Sequence, residues 1–291
     1  MRCALLSAAT LIVIGSLEST SSAADPDQKT PVFARQNLVA WCIVPFDAAK
    51  RGPRERAELL QQLGVRRFAY DWRDEHVATF EEEIRQLQGR GIEFFAFWSF
   101  HPAFVPLVTK HNIHPQFWIT APSPDGATQA DKLNAAAAQL APLVKQTREL
   151  GCRLGLYNHG GWGGEPANLV AVVKQLRAAG QADHVGIVYN LHHGHEHIRD
   201  FAEVLSAMQP YLLCLNLNGM NDRAEPKILP VGSGQHDRAM LDIIRASDYS
   251  GPIGILGHRA ELDAAESLRL NLDGLKKLLQ QIGDEAWKTY E

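Results

Sequence analysis

The sequence predicts a single closed barrel of eight parallel strands, each followed by a helix: a (β/α)8 TIM barrel over residues 37–291. Three observations predict it. Short, nearly unbroken apolar runs recur along the chain, as expected of parallel strands covered on both faces. Amphipathic segments separate them, giving repeats of roughly 30 residues. No low-complexity linker divides the 291 residues into two units.

The first strand spans 38–44, Leu-Val-Ala-Trp-Cys-Ile-Val. Pro53 opens the helix behind it, with Ala57, Leu60 and Leu63 on one face and Gly64 at its end. The second strand is 67–71; its helix carries Phe80, Ile84 and Leu87 at helical spacing and stops near Gly89 and Gly91. Residues 94–100 form the third strand, and 116–120, between Pro115 and Pro122, a short fourth. The segment 128–150 is a long helix with Leu133, Ala137, Leu140 and Val144 on one side and an expected kink at Pro142. Strands follow at 153–158 and 185–190. Leu169, Val172, Val173 and Leu176 line the helix after the first of these, and Ile198, Phe201 and Leu205 the helix after the second. The seventh strand is 212–217 and the eighth 252–256, with a helix around Met240, Ile243 and Ile244 between them and a last one at 268–282. The rival, an open doubly wound sheet, wants a glycine-rich phosphate loop after its first strand, and Pro45-Phe46-Asp47 is no such loop.

Bulk properties narrow the function. A formal net charge of -4 with no Lys/Arg block argues against a nucleic-acid partner. Arg2, the apolar run 3–17 and Ser22-Ala23-Ala24 read as a secretory signal over 1–24, followed by a polar lead over 25–36. The expected product is periplasmic or secreted, with no membrane association once the signal is removed. Cys42, Cys152 and Cys214 then remain, an odd number without a CxxC pair; Cys42 and Cys214 sit in apolar runs as small buried hydrophobes.

In such a barrel the chemistry sits where strands run into the following loops. Six strand ends carry polar groups: Tyr70-Asp71-Trp72, Trp98-Ser99-Phe100-His101, Tyr157-Asn158-His159, Tyr189-Asn190-Leu191-His192-His193, Asn216-Leu217-Asn218 and Gly257-His258. Gly160, Gly161, Gly163 and Gly164 let backbone approach a ligand. Gly232-Ser233-Gly234 before His236 makes a second open loop whose amides suit an anion or sugar hydroxyls. Trp72, Trp98 and Trp162 suit stacking on a sugar ring or packing in the core. His195 and His197, at a helix start, read as solvated.

The phrases Leu156-Tyr-Asn-His-Gly-Gly161, Val185-Gly-Ile-Val-Tyr-Asn-Leu-His-His193 and Val231-Gly-Ser-Gly-Gln-His-Asp237 resemble those of the xylose isomerase-like TIM barrels, from about Leu38 to Ile282. That superfamily holds sugar isomerases and epimerases and the endonuclease-IV-type repair enzymes. The resemblance implies a divalent metal held by two Glu, an Asp and a His. Here those positions carry Tyr157, Asn190, a residue near Cys214, and Gly257 or His258, while His193 alone matches; the usual carboxylates are missing. Hard ions such as Mg²⁺ lose their anionic ligands, so no cofactor is favoured, with Zn²⁺ on His159, His193 and His258 the alternative.

The expected function is an exported carbohydrate enzyme of isomerase, epimerase or lyase type, moving a proton next to a sugar carbonyl. His159, His193 and His258 are its acid–base residues, imidazoles with an ordinary pKa near 6.5. Asp71, Trp72, His101, Asn158, Asn190, Asn216, Asn218 and His236 bind substrate. The competing expectation is a barrel that has lost its metal site and binds sugar without turnover. The oligomeric state is left open.

Overall fold

The computed structural model describes residues 30–291, so the signal expected over 1–24 lies outside the described residues. Eight parallel strands close into a ring in sequence order: β1 (Leu38–Trp41), β2 (Arg67–Tyr70), β3 (Glu93–Trp98), β4 (Gln116–Thr120), β5 (Arg153–Tyr157), β6 (Val185–Asn190), β7 (Leu212–Leu217) and β8 (Ile253–Leu256). β1 pairs with both β2 and β8, which completes the barrel. Around it lie α1 (Pro53–Gln62), α2 (Phe80–Gln88), α3 (Val105–Lys110), α4 (Gln129–Glu149), α5 (Gly161–Gly164), α6 (Pro166–Ala178), α7 (Phe201–Met208), α8 (Asp237–Ala246) and α9 (Ala264–Ile282). No described helix is long and apolar enough to cross a membrane.

Two strands stop earlier than their apolar runs suggest. The backbone turns left-handed at Cys42 (φ 58°) and Ser99 (φ 59°), which breaks the alternation and ends β1 at Trp41 and β3 at Trp98. Helix α4 runs as one element through Pro142; that residue and Ala138, whose carbonyl loses its donor, both lie on the exposed side.

The pleat sends alternate side chains inward, and inward residues from every strand form one cluster, including Val39, Trp41, Ala69, Phe95, Trp118, Tyr157, Val188, Cys214 and Leu256. Glycines offset the bulk: a Cβ at Gly155 would press on Val188 and Trp118, and one at Gly254 would collide with Asn216. The opposite faces of the strands pack against the helices through a second, larger core. Between α1 and α2 the buried Arg56 grips the buried Glu83 with two contacts, at 3.0 and 3.2 Å. The end of the expected lead is structured: Phe33 and Ala34 are fully buried, and the Tyr290 hydroxyl donates to the Phe33 carbonyl at 2.7 Å.

Candidate functional site

A cavity of about 280 Å³ opens where β1, β2, β3, β5, β6 and β8 run out. Its floor is aromatic. The ring of Trp41 meets that of Trp98 at 5.6 Å and Tyr157 at 6.0 Å, with Trp118 edge-on beneath at 4.9 Å. Asp71, Arg73 and Cys42 form one wall, and Phe46, His159, His193 and His258 the rest.

Among the described residues, Asp71 is the only carboxylate lining this cavity. One oxygen accepts the Val44 N–H at 3.2 Å; the other is buried with no partner among the described residues. Burial drives the carboxyl up to about 7, opposed by the nearby Arg73 guanidinium and the Val44 amide. Arg73 is held there by donating to the carbonyls of Asp71 and Trp72. An unpartnered buried carboxyl that changes charge near neutrality is suited to carrying a proton.

The imidazoles form a chain. His159 lies 4.5 Å from His193, His193 4.3 Å from His192, and His192 5.2 Å from His258, ring centre to ring centre. His258 also stacks on Phe46 at 3.9 Å. Burial, then the neighbouring imidazoles, pushes His193 down to about 2. Burial and then His258 push His192 to about 3, and burial followed by Arg73 lowers His258. At neutral pH these three rings are therefore uncharged, each offering one N–H donor and one acceptor. This replaces the expectation of ordinary imidazoles for His193 and His258: desolvation outweighs the single titration value that residue type suggests. Strain gathers at the same mouth, where Cys42 (φ 58°) and His258 (φ 24°) both hold left-handed backbone.

Asp71, His159, His193 and His258 thus share one cavity with Trp98, and the other substrate-binding candidates do not line it. Trp72 donates its indole N–H to the Trp98 carbonyl at 2.6 Å and stacks on Phe97, a packing position behind the wall. His101 accepts the Ala103 N–H and turns its ring edge-on to Trp72. Asn158 brackets β6, accepting from the Asn190 N–H at 2.7 Å and donating to the Asn190 carbonyl at 3.1 Å. Asn190 donates to the Tyr157 hydroxyl and accepts from the His192 N–H. Asn216 accepts from the Cys214 thiol, and Asn218 donates to the Gly219 and Lys227 carbonyls. Asn158 and Asn190 tie the ends of β5 and β6 together and Asn218 fixes the loop after β7, whereas the Asn216 amide nitrogen is buried with no partner among the described residues. His236 pairs with Asp222 at 3.0 Å, away from the cavity. His195 and His197 are only half exposed; His195 bonds the His192 carbonyl and His197 contacts Glu165. Trp41, Cys42, Phe46, Arg73 and Tyr157 join the cavity without having been singled out as candidates. Ending β1 at Trp41 instead of 44 would have placed the first two at the mouth.

No protein-family model matches the sequence, and no curated protein matches it. The fold, in contrast, is shared widely. The 3-keto-D-glucoside 4-epimerase of E. coli superposes with a TM-score of 0.60 at 14% identity, over 83% of this chain and 99% of that one. An IolI protein with a bound zinc atom gives 0.62 at 12% identity, over 84% of this chain and 98% of the other. A D-psicose 3-epimerase studied with D-fructose gives 0.57 at 12% identity, over 82% and 98% of the two chains. The chain has the xylose isomerase-like TIM-barrel fold.

The sequence resemblance implies a divalent metal, and the residues at its ligand positions do not fit one. Tyr157 receives N–H bonds from Asn190 and Trp41, and burial raises its phenol far above neutrality. Burial likewise keeps the Cys214 thiol protonated. Asn190 is already committed on both sides of its amide. Among the described residues, no group of three His, Cys, Asp or Glu side chains is placed to hold a metal ion.

Proposed function

We propose that the chain is an exported carbohydrate enzyme of isomerase or epimerase type, moving a proton next to the carbonyl of a keto-sugar or glycoside fragment. The observation that carries the reading is the unpartnered oxygen of Asp71, buried in a cavity whose floor is aromatic and whose rim holds the uncharged imidazoles of His193 and His258. A sugar lays a C–H face on Trp98, which Trp41 backs. The Asp71 carboxylate takes a proton from the carbon beside the carbonyl, and the electron pair left behind becomes an enediolate. Neutral N–H groups of His193 and His258 stabilise the oxygen where that charge develops. The carboxylic acid then delivers the proton to the neighbouring, former carbonyl carbon while the hydroxyl proton passes between the two enediolate oxygens, giving the isomer. Inversion of one carbon requires delivery to its opposite face by a second proton donor. Asp71 takes the base role expected of an imidazole, since a ring pushed to about 2 accepts protons poorly at pH 7. The epimerase activities of the structural neighbours support the substrate class.

The test is exchange of carbon-bound hydrogen for deuterium in D2O, followed by NMR across a panel of keto-sugars and keto-glycosides. At least one should exchange, and His193→Ala should lower its rate about 10²-fold with unchanged circular dichroism. Calorimetric sugar binding without any exchange would instead identify a non-catalytic sugar-binding barrel, the reading that the missing metal carboxylates favour.

A further inference from the structure

Beside the cavity lies a larger cleft of about 490 Å³ that the proton transfer leaves unused. We propose that it binds a second, neutral sugar unit, so that the substrate is a disaccharide-type glycoside whose keto ring occupies the smaller cavity; this rests on the reading given under Proposed function. His193 lines both spaces, so a glycosidic bond leaving the keto ring past His193 enters the cleft. The smaller space sits at the low end of ligand pockets, roughly 300 Å³, and takes one ring.

The cleft's chemistry selects the occupant. Its floor at Gly160 (φ 81°) and Gly161 (φ 66°) is bare backbone in a conformation that glycine alone adopts readily. Two buried ring nitrogens on its lining residues, Nδ1 of His192 and Nε2 of His195, have no partner among the described residues, and His192 is only 4% exposed. Both atoms lie under the cleft surface with almost no accessible area, so a ligand hydroxyl reaches either one only after its ring turns. Arg223, Lys227, Glu165 and Glu196 all line the cleft, balancing in formal charge. An anionic group gains no net field there, and an apolar one would strand the polar lining; a polyhydroxyl ring suits both.

The experiment compares a keto-disaccharide with its keto-monosaccharide in the exchange assay, using wild type and Ala224→Trp. Ala224 lines the cleft on an exposed loop and does not line the smaller cavity. Wild type should prefer the disaccharide in kcat/KM by at least about tenfold, roughly 1.4 kcal/mol. Ala224→Trp should collapse that preference through KM. Equal use of both by wild type, or a preference untouched by Ala224→Trp, overturns the proposal. If wild type exchanges neither sugar, the proposed reaction fails, and calorimetry judges the cleft alone. Tighter disaccharide than monosaccharide binding, weakened by Ala224→Trp, supports it; equal binding overturns it.

Discussion

Replacing Asp71 with asparagine is expected to abolish sugar-dependent proton exchange while making the folded protein more stable at pH 8. The first half follows from chemistry: the amide has the shape of the carboxyl but takes no proton, and losing a general base costs about 10²–10⁴-fold in rate. Wild-type activity should rise with pH through about 7, as the buried carboxyl ionises. Residual Asp71→Asn activity should lack that step, a difference that a purely structural role for the residue would not produce. Arg56, Cys42, Tyr70 and Tyr157 also act on or feel this carboxyl, and each is shifted upward, away from neutrality.

The stability half follows from linkage. The carboxyl rises from 3.8 to about 7 on folding, so the folded state holds its proton more tightly than the unfolded chain. Stability contributed by such a group is lost as pH climbs from about 4 to 7, and the full cost stands above the folded value, up to about 4 kcal/mol. The amide of the Asp71→Asn variant carries no such cost. Thermal melts should show the variant several degrees above wild type at pH 8, with the gap closing below pH 4. A variant less stable than wild type at pH 8 would show that the carboxylate is paired after all.

Glu83→Gln should be the most destabilising single change outside the cavity. It leaves the Arg56 guanidinium, only 2% exposed, without its counter-charge, and breaking a buried pair from one side costs about 3–5 kcal/mol. Urea denaturation measures it directly. The paired change Arg56→Met with Glu83→Leu should recover most of the loss, because two apolar side chains no longer need each other's charge. A loss under about 1 kcal/mol for Glu83→Gln would mean that water reaches the pair.

The barrel was legible because eight apolar runs and their helical partners repeat through the whole length, and a parallel strand covered on both faces has few other ways to look. Strand ends were less so. Nothing in Trp41-Cys42-Ile43 announces that the backbone turns left-handed at Cys42, and that turn is what puts Trp41 and Phe46 at the mouth. The amides show the limit most clearly. Asn158 looks the same in sequence whether it meets a ligand or brackets Asn190; the difference is a partner 32 residues away. His236 was misplaced for the same reason, its partner Asp222 lying on another turn of the loop. Residue type also hides burial, which is why Asp71 reads as an ordinary carboxylate and His193 as an ordinary imidazole until the surrounding atoms are known.

The indoles beneath the cavity give the protein an optical gauge of occupancy. Trp98 forms part of the wall a ligand would touch, while Trp41 and Trp118 sit behind it, enclosed. A ring settling on Trp98 displaces water from its face and leaves the enclosed Trp41 and Trp118 as internal standards. Intrinsic emission should therefore shift to the blue on titration with a ligand that fills this space, giving an affinity for compounds that are never turned over.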